Sequence, residues 1–263
     1  MKILWNEATT GAQELAPLWQ ALRDYFPKVA RPDTQVEMKH LPVSANFIRS
    51  LYTELLNNRA VVENTIQAEQ DGYDVVVLGC WADPLWEARE AVDIPVVGIG
   101  EASMLLALTL GYKFAIITVA PGVIPTIELD LRLYGLEDRA IPRPVRALDP
   151  PSDVALLLES VTDPHRRFIP NLERVARQCI QDGAEVIIVG CGYYGPILTM
   201  HGYHEIPGTG VPVLDCSAAG LKMAEALGDL AKTIGLTKSK ALYFRRPDAQ
   251  IMERVRRAHG LIE

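Results

Sequence analysis

The sequence predicts an α/β protein with two similar lobes, each a parallel sheet flanked by helices, related by a pseudo-twofold axis around a shared cleft. Short apolar segments of strand length alternate with longer segments of helical period, which is typical of doubly wound parallel sheets. The segment Val75–Leu78 is wholly apolar, as expected for a strand that is covered on both faces. A ten-residue segment that includes it, Asp71–Cys80, recurs with similar residues as Asp182–Cys191.

The elements of the first half follow from the spacing of apolar residues. Apolar side chains about one turn apart predict helices, and short apolar runs predict strands. In order, these are a strand over Lys2–Trp5, a helix over Gly11–Phe26, a strand over Gln35–Leu41, a helix over Asn46–Gln70, strands over Val75–Leu78 and Pro95–Val97, and a helix over Glu101–Leu110. The second of these helices is expected to bury a face formed by Phe47, Leu51, Leu55, Val62 and Ile66.

The second half of the chain repeats the first. Lys113–Ile117 resembles Lys2–Trp5 at an offset of 111 residues, the same offset that relates the two ten-residue segments, and Val211–Leu214 echoes Ile94–Val97. Any two parallel strands that follow a helix and a glycine look alike, but two matches at one offset favour a duplication. The predicted lobes are residues 1–98 together with 215–263, and residues 99–214.

Composition and charge exclude several classes of protein. Of the 263 residues, 49% are hydrophobic and 22% are charged, which argues against a disordered chain. The formal net charge of −7 argues against a nucleic-acid or anionic-membrane partner. No apolar run reaches the ~18 residues that cross a bilayer, and the N-terminus lacks the pattern of a secretory signal. We therefore expect a cytoplasmic homo-oligomer that acts on a small molecule.

Four cysteines carry the first functional signal: Cys80, Cys179, Cys191 and Cys216. A chain of this length in a reducing compartment needs no disulfides, and the spacing of the cysteines is not that of a zinc site. Cys179 lies in a helical segment and Cys216 follows a strand, so both are expected to pack in the core. Cys80 and Cys191 end apolar strands at equivalent points of the repeat, where parallel sheets bind ligands.

Two thiols that face one cleft form a pair of acid/base groups. A thiolate on one face takes a proton from a carbon next to a carbonyl, and a thiol on the other face returns a proton, which inverts the centre. This chemistry needs no metal and no organic cofactor. Backbone N–H groups at the strand-to-helix turns would stabilise the oxyanion that develops. One such cysteine alone is more often a packing residue, so the argument depends on the pair.

The same residues resemble the aspartate/glutamate/hydantoin racemase superfamily over nearly the whole chain. The resemblance rests on the two Gly-Cys sites, on the opening strand followed by Asn6, and on the segment Pro95–Ala102. It is closest to the hydantoin racemase branch, in which a short segment ending in Asp-Pro follows the first cysteine, here Cys80–Pro84. Gly235–Lys240 also resembles that branch.

The resemblance implies an isomerase in which Cys80 and Cys191 are the catalytic, proton-transferring pair. Residues after the opening strands and after the cysteines are expected to bind the substrate: Asn6, Trp81, Asp83, Thr118, Gly192 and Tyr193. Asn6 is equally well explained as the cap of a turn. Trp81, Tyr193 and Tyr194 either line an aromatic pocket or pack the lobe interface.

The residues after the cysteines also bear on the substrate. Amino-acid racemases of the superfamily carry Asn-Thr after the first cysteine and Thr with His or Glu after the second, whereas this chain has Trp81-Ala82 and Gly192–Pro196. We therefore expect a neutral ring, a 5-substituted hydantoin or a related cyclic ureide. The alternatives are cis–trans isomerisation of an unsaturated diacid, racemisation of an amino acid and, in a different class, non-catalytic binding of a small molecule.

Overall fold

A computed structural model describes residues 1–44, 46, 48–81 and 83–263 of the chain. It shows two parallel β-sheets with helices packed around them. The α/β class predicted from the sequence is confirmed. No helix in these ranges has both the length and the apolar character needed to span a membrane.

The described residues form nine strands, eight of which build the two parallel sheets. The strands are β1 (Lys2–Asn6), β2 (Gln35–Lys39), β3 (Val75–Leu78), β4 (Val96–Gly98), β5 (Phe114–Thr118), β6 (Ala140–Ala147), β7 (Val186–Val189), β8 (Glu205–Ile206) and β9 (Val211–Asp215). The first sheet has the order β2-β1-β3-β4, and the second has the order β6-β5-β7-β9. Strand β8 pairs with β9 as an antiparallel edge.

Ten α-helices are found in the same ranges. They are α1 (Ala16–Val29), α2 (Leu51–Gln70), α3 (Leu85–Ala91), α4 (Ile99–Leu110), α5 (Ile124–Leu133), α6 (Val154–Thr162), α7 (Phe168–Gln181), α8 (Tyr194–Met200), α9 (Cys216–Ile234) and α10 (Ala249–Ala258). Helices cover both sheets, as parallel sheets require.

The strand order explains the repeat in the sequence. Strands β1 to β4 hold the same places in the first sheet as β5, β6, β7 and β9 hold in the second. Strands β3 and β7 are buried along their whole length, because they lie inside their sheets and are covered on both faces. Equivalent strands of the two sheets therefore end in equivalent places.

The chain passes between the two sheets twice. It leaves the first sheet at β4 and enters α4, which contacts β4 and also β7 and β9 of the second sheet. It leaves the second sheet at β9 and enters α9, which packs against α4 and against β3 and β4. Helices α4 and α9 thus lie between the sheets. The division into residues 1–98 with 215–263, and 99–214, stays a prediction.

Helix α2 begins later than predicted. The expected start was Asn46, but the helix begins at Leu51. The Oγ atom of Ser50 accepts a hydrogen bond from the Thr53 N–H group at 3.4 Å, and such a cap fixes the first turn of a helix. Phe47, which was expected on the buried face, lies outside the described residues.

The buried face of α2 also differs from the expected one. Leu51 and Leu55 are each 68% exposed, whereas Glu54 and Asn57 are buried. Asn57 donates a hydrogen bond to the Ala8 carbonyl at 2.5 Å. Because the first half of the helix lies against polar groups of a loop, it turns its polar side inward, and the apolar spacing predicted the wrong face for that half.

A buried carboxylate connects α1 to the start of α9. Asp215 caps α9 by accepting hydrogen bonds from the N–H groups of Ser217 and Ala218 at 2.9 and 3.2 Å. Its Oδ2 atom also accepts from Tyr25 Oη and Thr199 Oγ1, each at 2.7 Å. A buried carboxylate is tolerated only when it is hydrogen-bonded in this way. The contact ties α1 to the second sheet.

The C-terminal segment runs along the first sheet's helices. Arg256 Nη2 lies 2.6 Å from Glu63 Oε2 of α2. Lys238 Nζ donates to the carbonyl oxygen of Glu90 at 3.2 Å, near the end of α3. These contacts place α10 beside α2, on the outside of the molecule.

The substitution Tyr25→Phe is expected to lower the free energy of unfolding by about 1–3 kcal/mol, because buried Asp215 loses one donor. Urea unfolding of both proteins measures the difference. Tyr52→Phe is the matched control, since Tyr52 is 71% exposed and its loss of a hydroxyl should cost less than about 0.5 kcal/mol. Equal effects of the two substitutions would contradict the role given to Tyr25.

Candidate active site

A cavity of about 160 Å³ opens between the carboxyl ends of the two sheets. Cys80 follows β3 and Cys191 follows β7, and both line this cavity. Since β3 and β7 are equivalent strands, the fold brings one cysteine from each repeat to a single cavity. This is the place where open α/β sheets bind their ligands.

Four further residues from the predicted site line the same cavity. They are Trp81, Thr118, Gly192 and Tyr193. Tyr194 also lines it, and its Oη atom is hydrogen-bonded to Ser152 Oγ at 2.7 Å. Aromatic rings therefore face the cavity from both Gly-Cys loops.

Two predicted residues have other surroundings. Asn6 is fully buried, and its amide donates to the Val61 carbonyl at 2.9 Å and to Thr65 Oγ1 at 3.2 Å on α2. Asp83 lines a second cavity of about 60 Å³, which Cys80 and Trp81 also line. Neither Asn6 nor Asp83 lines the main cavity, so a substrate-binding role for these two stays a prediction.

The loop that carries Cys80 is held by carboxyl groups. The Cys80 N–H group donates to Asp83 Oδ2 at 2.9 Å. Burial raises the pKa of Asp83 well above its usual range, although this hydrogen bond lowers it. Trp81 Nε1 donates to Asp130 Oδ2 at 3.1 Å, and burial raises the pKa of Asp130 to about 7. Both contacts fix the loop, and the second ties it to α5 beside the other sheet.

The Cys191 thiol has a raised pKa, mainly because burial disfavours the thiolate. The backbone N–H groups of Tyr193 and Tyr194 and the charge of Arg49 act in the opposite direction. At neutral pH Cys191 is therefore mostly a protonated thiol. The two N–H groups stabilise a thiolate when one forms.

The two cysteine loops touch at Gly192. A Cβ atom at this position would lie 2.2 Å from the carbonyl oxygen of Gly79, well inside van der Waals contact. Only glycine allows so close an approach of the two backbones. Gly192 thus lets the loop after β7 lie directly on the loop after β3.

A buried carboxyl group lies behind Tyr193. Glu7 is 1% exposed, and its two oxygens accept hydrogen bonds from Trp5 Nε1 at 2.8 Å and from Tyr193 Oη at 2.9 Å. Burial raises the pKa of Glu7 to about 7, and the two hydrogen bonds lower it. The only sequence signal for Glu7 is a carboxylate directly after an apolar strand.

Arg49 is another residue near the cysteines that the sequence pattern did not indicate. It lines the cavity, and its Nη1 atom donates to the Ser152 carbonyl at 2.9 Å. The sequence placed Arg49 inside a helix, and nothing in the pattern marks it as a ligand-facing residue. The rest of the wall includes an aliphatic group formed by Leu15, Ile48, Val119, Val123, Val154 and Leu157.

The sequence matches the family model described as Asp/Glu/Hydantoin racemase over residues 16–224. The chain belongs to this family. The superfamily resemblance noted from the Gly-Cys sites is therefore confirmed, and the protein is an isomerase, a racemase. Within the described residues, no group of three or more His, Cys, Asp or Glu side chains is arranged to hold a metal ion.

Named relatives extend over most of the chain. A hydantoin racemase from Pseudomonas sp. (strain NS671) is 32% identical over 219 residues, which is 80% of each chain. The structure is similar to an allantoin racemase from Klebsiella pneumoniae, with a TM-score of 0.78, 24% identity and 94% of each chain covered. It is also similar to an allantoin racemase from Pseudomonas fluorescens, with a TM-score of 0.74, 27% identity, and 94% and 97% covered.

Glu7→Gln is expected to flatten the pH dependence of stability. The pKa of Glu7 rises from 4.5 to about 7 on folding. Between pH 4.5 and 7, the folded state therefore binds more protons at Glu7 than the unfolded state does. Stability therefore falls as the pH rises from about 4.5 to 7, by roughly 3 kcal/mol from this group. Urea unfolding at a series of pH values should show this fall as the difference between the wild type and Glu7→Gln.

The exposed Glu14 supplies the control for this comparison. Glu14→Gln should leave the pH profile parallel to that of the wild type. If the Glu7→Gln profile were also parallel to the wild type, Glu7 would not take up a proton on folding.

Proposed function

We propose that the protein racemises a 5-substituted hydantoin or a related cyclic ureide by proton transfer between Cys80 and Cys191. The observation that carries the proposal is the single cavity that both cysteines line, one from each sheet. Two thiols of equivalent position are what inversion of one carbon centre requires, since a proton must leave one face and arrive at the other.

The proposed reaction moves two protons and no other group. One cysteine, as thiolate, takes the proton from C5, and the electron pair of the C–H bond passes to the neighbouring carbonyl as an enolate. The opposite thiol then gives its proton to the other face of C5. One turnover thus exchanges the protonation states of the two sulfurs, and the reverse turnover acts on the other enantiomer.

Charge stabilisation in the cavity suits this reaction. The N–H groups of Tyr193 and Tyr194 favour a thiolate at Cys191, and Arg49 adds a positive charge that acts on the same sulfur. Fixed donors in an enclosed cavity stabilise developing negative charge more strongly than water does. The enolate of the substrate benefits from the same groups.

The aliphatic wall bears on the substituent at C5. Leu157 and Val123 belong to it, and a hydrocarbon group would pack against such side chains. The substituent of allantoin is a ureido group, whose N–H groups would find no acceptor among these aliphatic side chains, and unpaired polar groups are costly. This favours a hydantoin with an apolar substituent, in agreement with the name of the Pseudomonas sp. relative.

Racemisation in D₂O tests the two-thiol mechanism. Starting from one enantiomer of 5-isobutylhydantoin, optical rotation should decay, and deuterium should enter the product enantiomer before it enters the recovered substrate, because different thiols remove and return the proton. Cys80→Ser and Cys191→Ser should each lower kcat by about 10²–10⁴-fold. Polarimetry and mass spectrometry of the separated enantiomers give these quantities.

Cys179→Ala is the matched control, since Cys179 is buried in α7 and lines neither cavity described above. It should change kcat by less than about twofold. Early deuterium in both enantiomers would indicate a single base and contradict the mechanism. An unchanged rate of racemisation in Cys80→Ser or Cys191→Ser would also contradict the two-thiol mechanism.

The choice of substituent is tested by comparing two substrates. The wild type should have a kcat/KM for 5-isobutylhydantoin that exceeds its kcat/KM for allantoin by about 10-fold or more. Leu157→Asn should lower the ratio of the two kcat/KM values. Leu133→Asn should leave the ratio unchanged, because Leu133 is 52% exposed on α5. If the wild type instead prefers allantoin, the hypothesis of an apolar substituent is wrong, and the substrate is a ureido-substituted hydantoin like the one in the names of the two structural relatives.

A further inference from the structure

The two-thiol scheme gives no role to the buried carboxyl group of Glu7. Glu7 follows β1, belongs to the first half of the chain and does not line the cavity, yet it touches both cysteine loops. A Cβ atom at Gly79 would lie 3.1 Å from Glu7 Oε1, and Glu7 Oε2 accepts the hydrogen bond of Tyr193 at 2.9 Å. The hydrogen bond to Tyr193 connects Glu7 to a side chain that lines the cavity.

The hydrogen-bond partners of Glu7 determine where the Tyr193 proton lies. An ionised carboxylate has no hydrogen to give, so it accepts from both partners. Trp5 Nε1 donates to one oxygen at 2.8 Å, and the Tyr193 hydroxyl must donate to the other. The single hydroxyl hydrogen of Tyr193 is then engaged with Glu7. Its oxygen keeps lone pairs, and as a cavity-lining residue Tyr193 presents an acceptor.

The neighbours of Tyr193 keep this oxygen in place. The Trp19 ring packs edge-on against the Tyr193 ring, with centroids 5.7 Å apart. Thr9 lies beside Tyr193 and also lines the cavity. Its Oγ1 atom is buried and lies within hydrogen-bonding reach of Tyr193. An acceptor and a hydroxyl group therefore lie side by side on one wall of the cavity.

We propose that Glu7 holds Tyr193 as a hydrogen-bond acceptor, and that this acceptor, beside the Thr9 hydroxyl, recognises a ring N–H next to a carbonyl of the substrate. This deepens the proposed function and rests on it. An N–H beside a C=O is the edge that a cyclic ureide offers and that a diacid lacks. Tyr193 is then a specificity-determining residue, and Glu7 is a positioning residue that acts through it.

The substitution Glu7→Gln separates the direction of the hydrogen bond from the shape of the site. Trp5 Nε1 is only a donor, so the glutamine oxygen must face Trp5 and the amide NH₂ must face Tyr193. The NH₂ group then donates to Tyr193 Oη, and the hydroxyl hydrogen of Tyr193 turns toward the cavity. Tyr193 becomes a donor with its ring unmoved, and the substrate N–H meets a hydrogen instead of a lone pair.

The experiment compares 5-isobutylhydantoin with its N1-methyl and N3-methyl derivatives at about pH 8.5, where Glu7 is ionised. In the wild type, methylation of the nitrogen that faces Tyr193 should lower kcat/KM by about 10–100-fold. In Tyr193→Phe the loss should shrink to within about threefold, mainly because the parent compound reacts more slowly. In Glu7→Gln the loss of kcat/KM on methylation should also shrink to within about threefold, although this substitution removes no atom from the cavity wall.

Tyr194→Phe is the matched control. Tyr194 lines the same cavity, but its hydroxyl is paired with Ser152, so the ratio between parent and methylated substrates should stay at the wild-type value. If the wild type racemises the parent hydantoin but Glu7→Gln keeps the full wild-type ratio, the inference fails and the proposed function stands. If the wild type racemises no hydantoin, both fail together.

Discussion

The contact between two backbone segments governs the geometry of the active site. The loop after β7 lies on the carbonyl oxygen of Gly79, at a distance that leaves no room for a Cβ atom on residue 192. In each loop the glycine is the direct neighbour of a cysteine. The two sulfurs are thus carried by the parts of the chain that touch, and the width of the cavity between them follows from a close approach that only glycine permits.

The surroundings of this contact are rich in carboxyl groups that burial keeps from ionising easily. Glu7, Asp83 and Asp130 all have raised pKa values for this reason. A protonated carboxyl group adds no negative charge near a sulfur that must itself become negative, and each of these acids still has a hydrogen-bond donor that stabilises its ionised form. The site therefore combines carboxyl groups of raised pKa, backbone N–H groups and Arg49.

Local sequence patterns predicted the positions of the strands, but they did not predict the hydrogen-bond partners of the polar side chains. The strand Val75–Leu78 is apparent from four apolar residues in a row, and the ends of such strands predict where Cys80 and Cys191 lie. The direction of the Asn6 amide depends on α2, which is 55 or more residues away along the chain. The inward polar face of α2 likewise depends on its neighbours, since Asn57 bonds to Ala8. Such contacts between distant segments leave no periodic signal.

The double passage of the chain between the sheets has a consequence for how the molecule can move. Two covalent connections lie side by side, where β4 continues into α4 and β9 continues into α9, and α4 and α9 pack against each other. Two adjacent connections of this kind have the geometry of a hinge, in which the sheets rotate about the line that joins the connections. The cavity lies where β3 and β7 end, so a rotation that separates Gly79 from Gly192 would widen the gap between the two sulfurs.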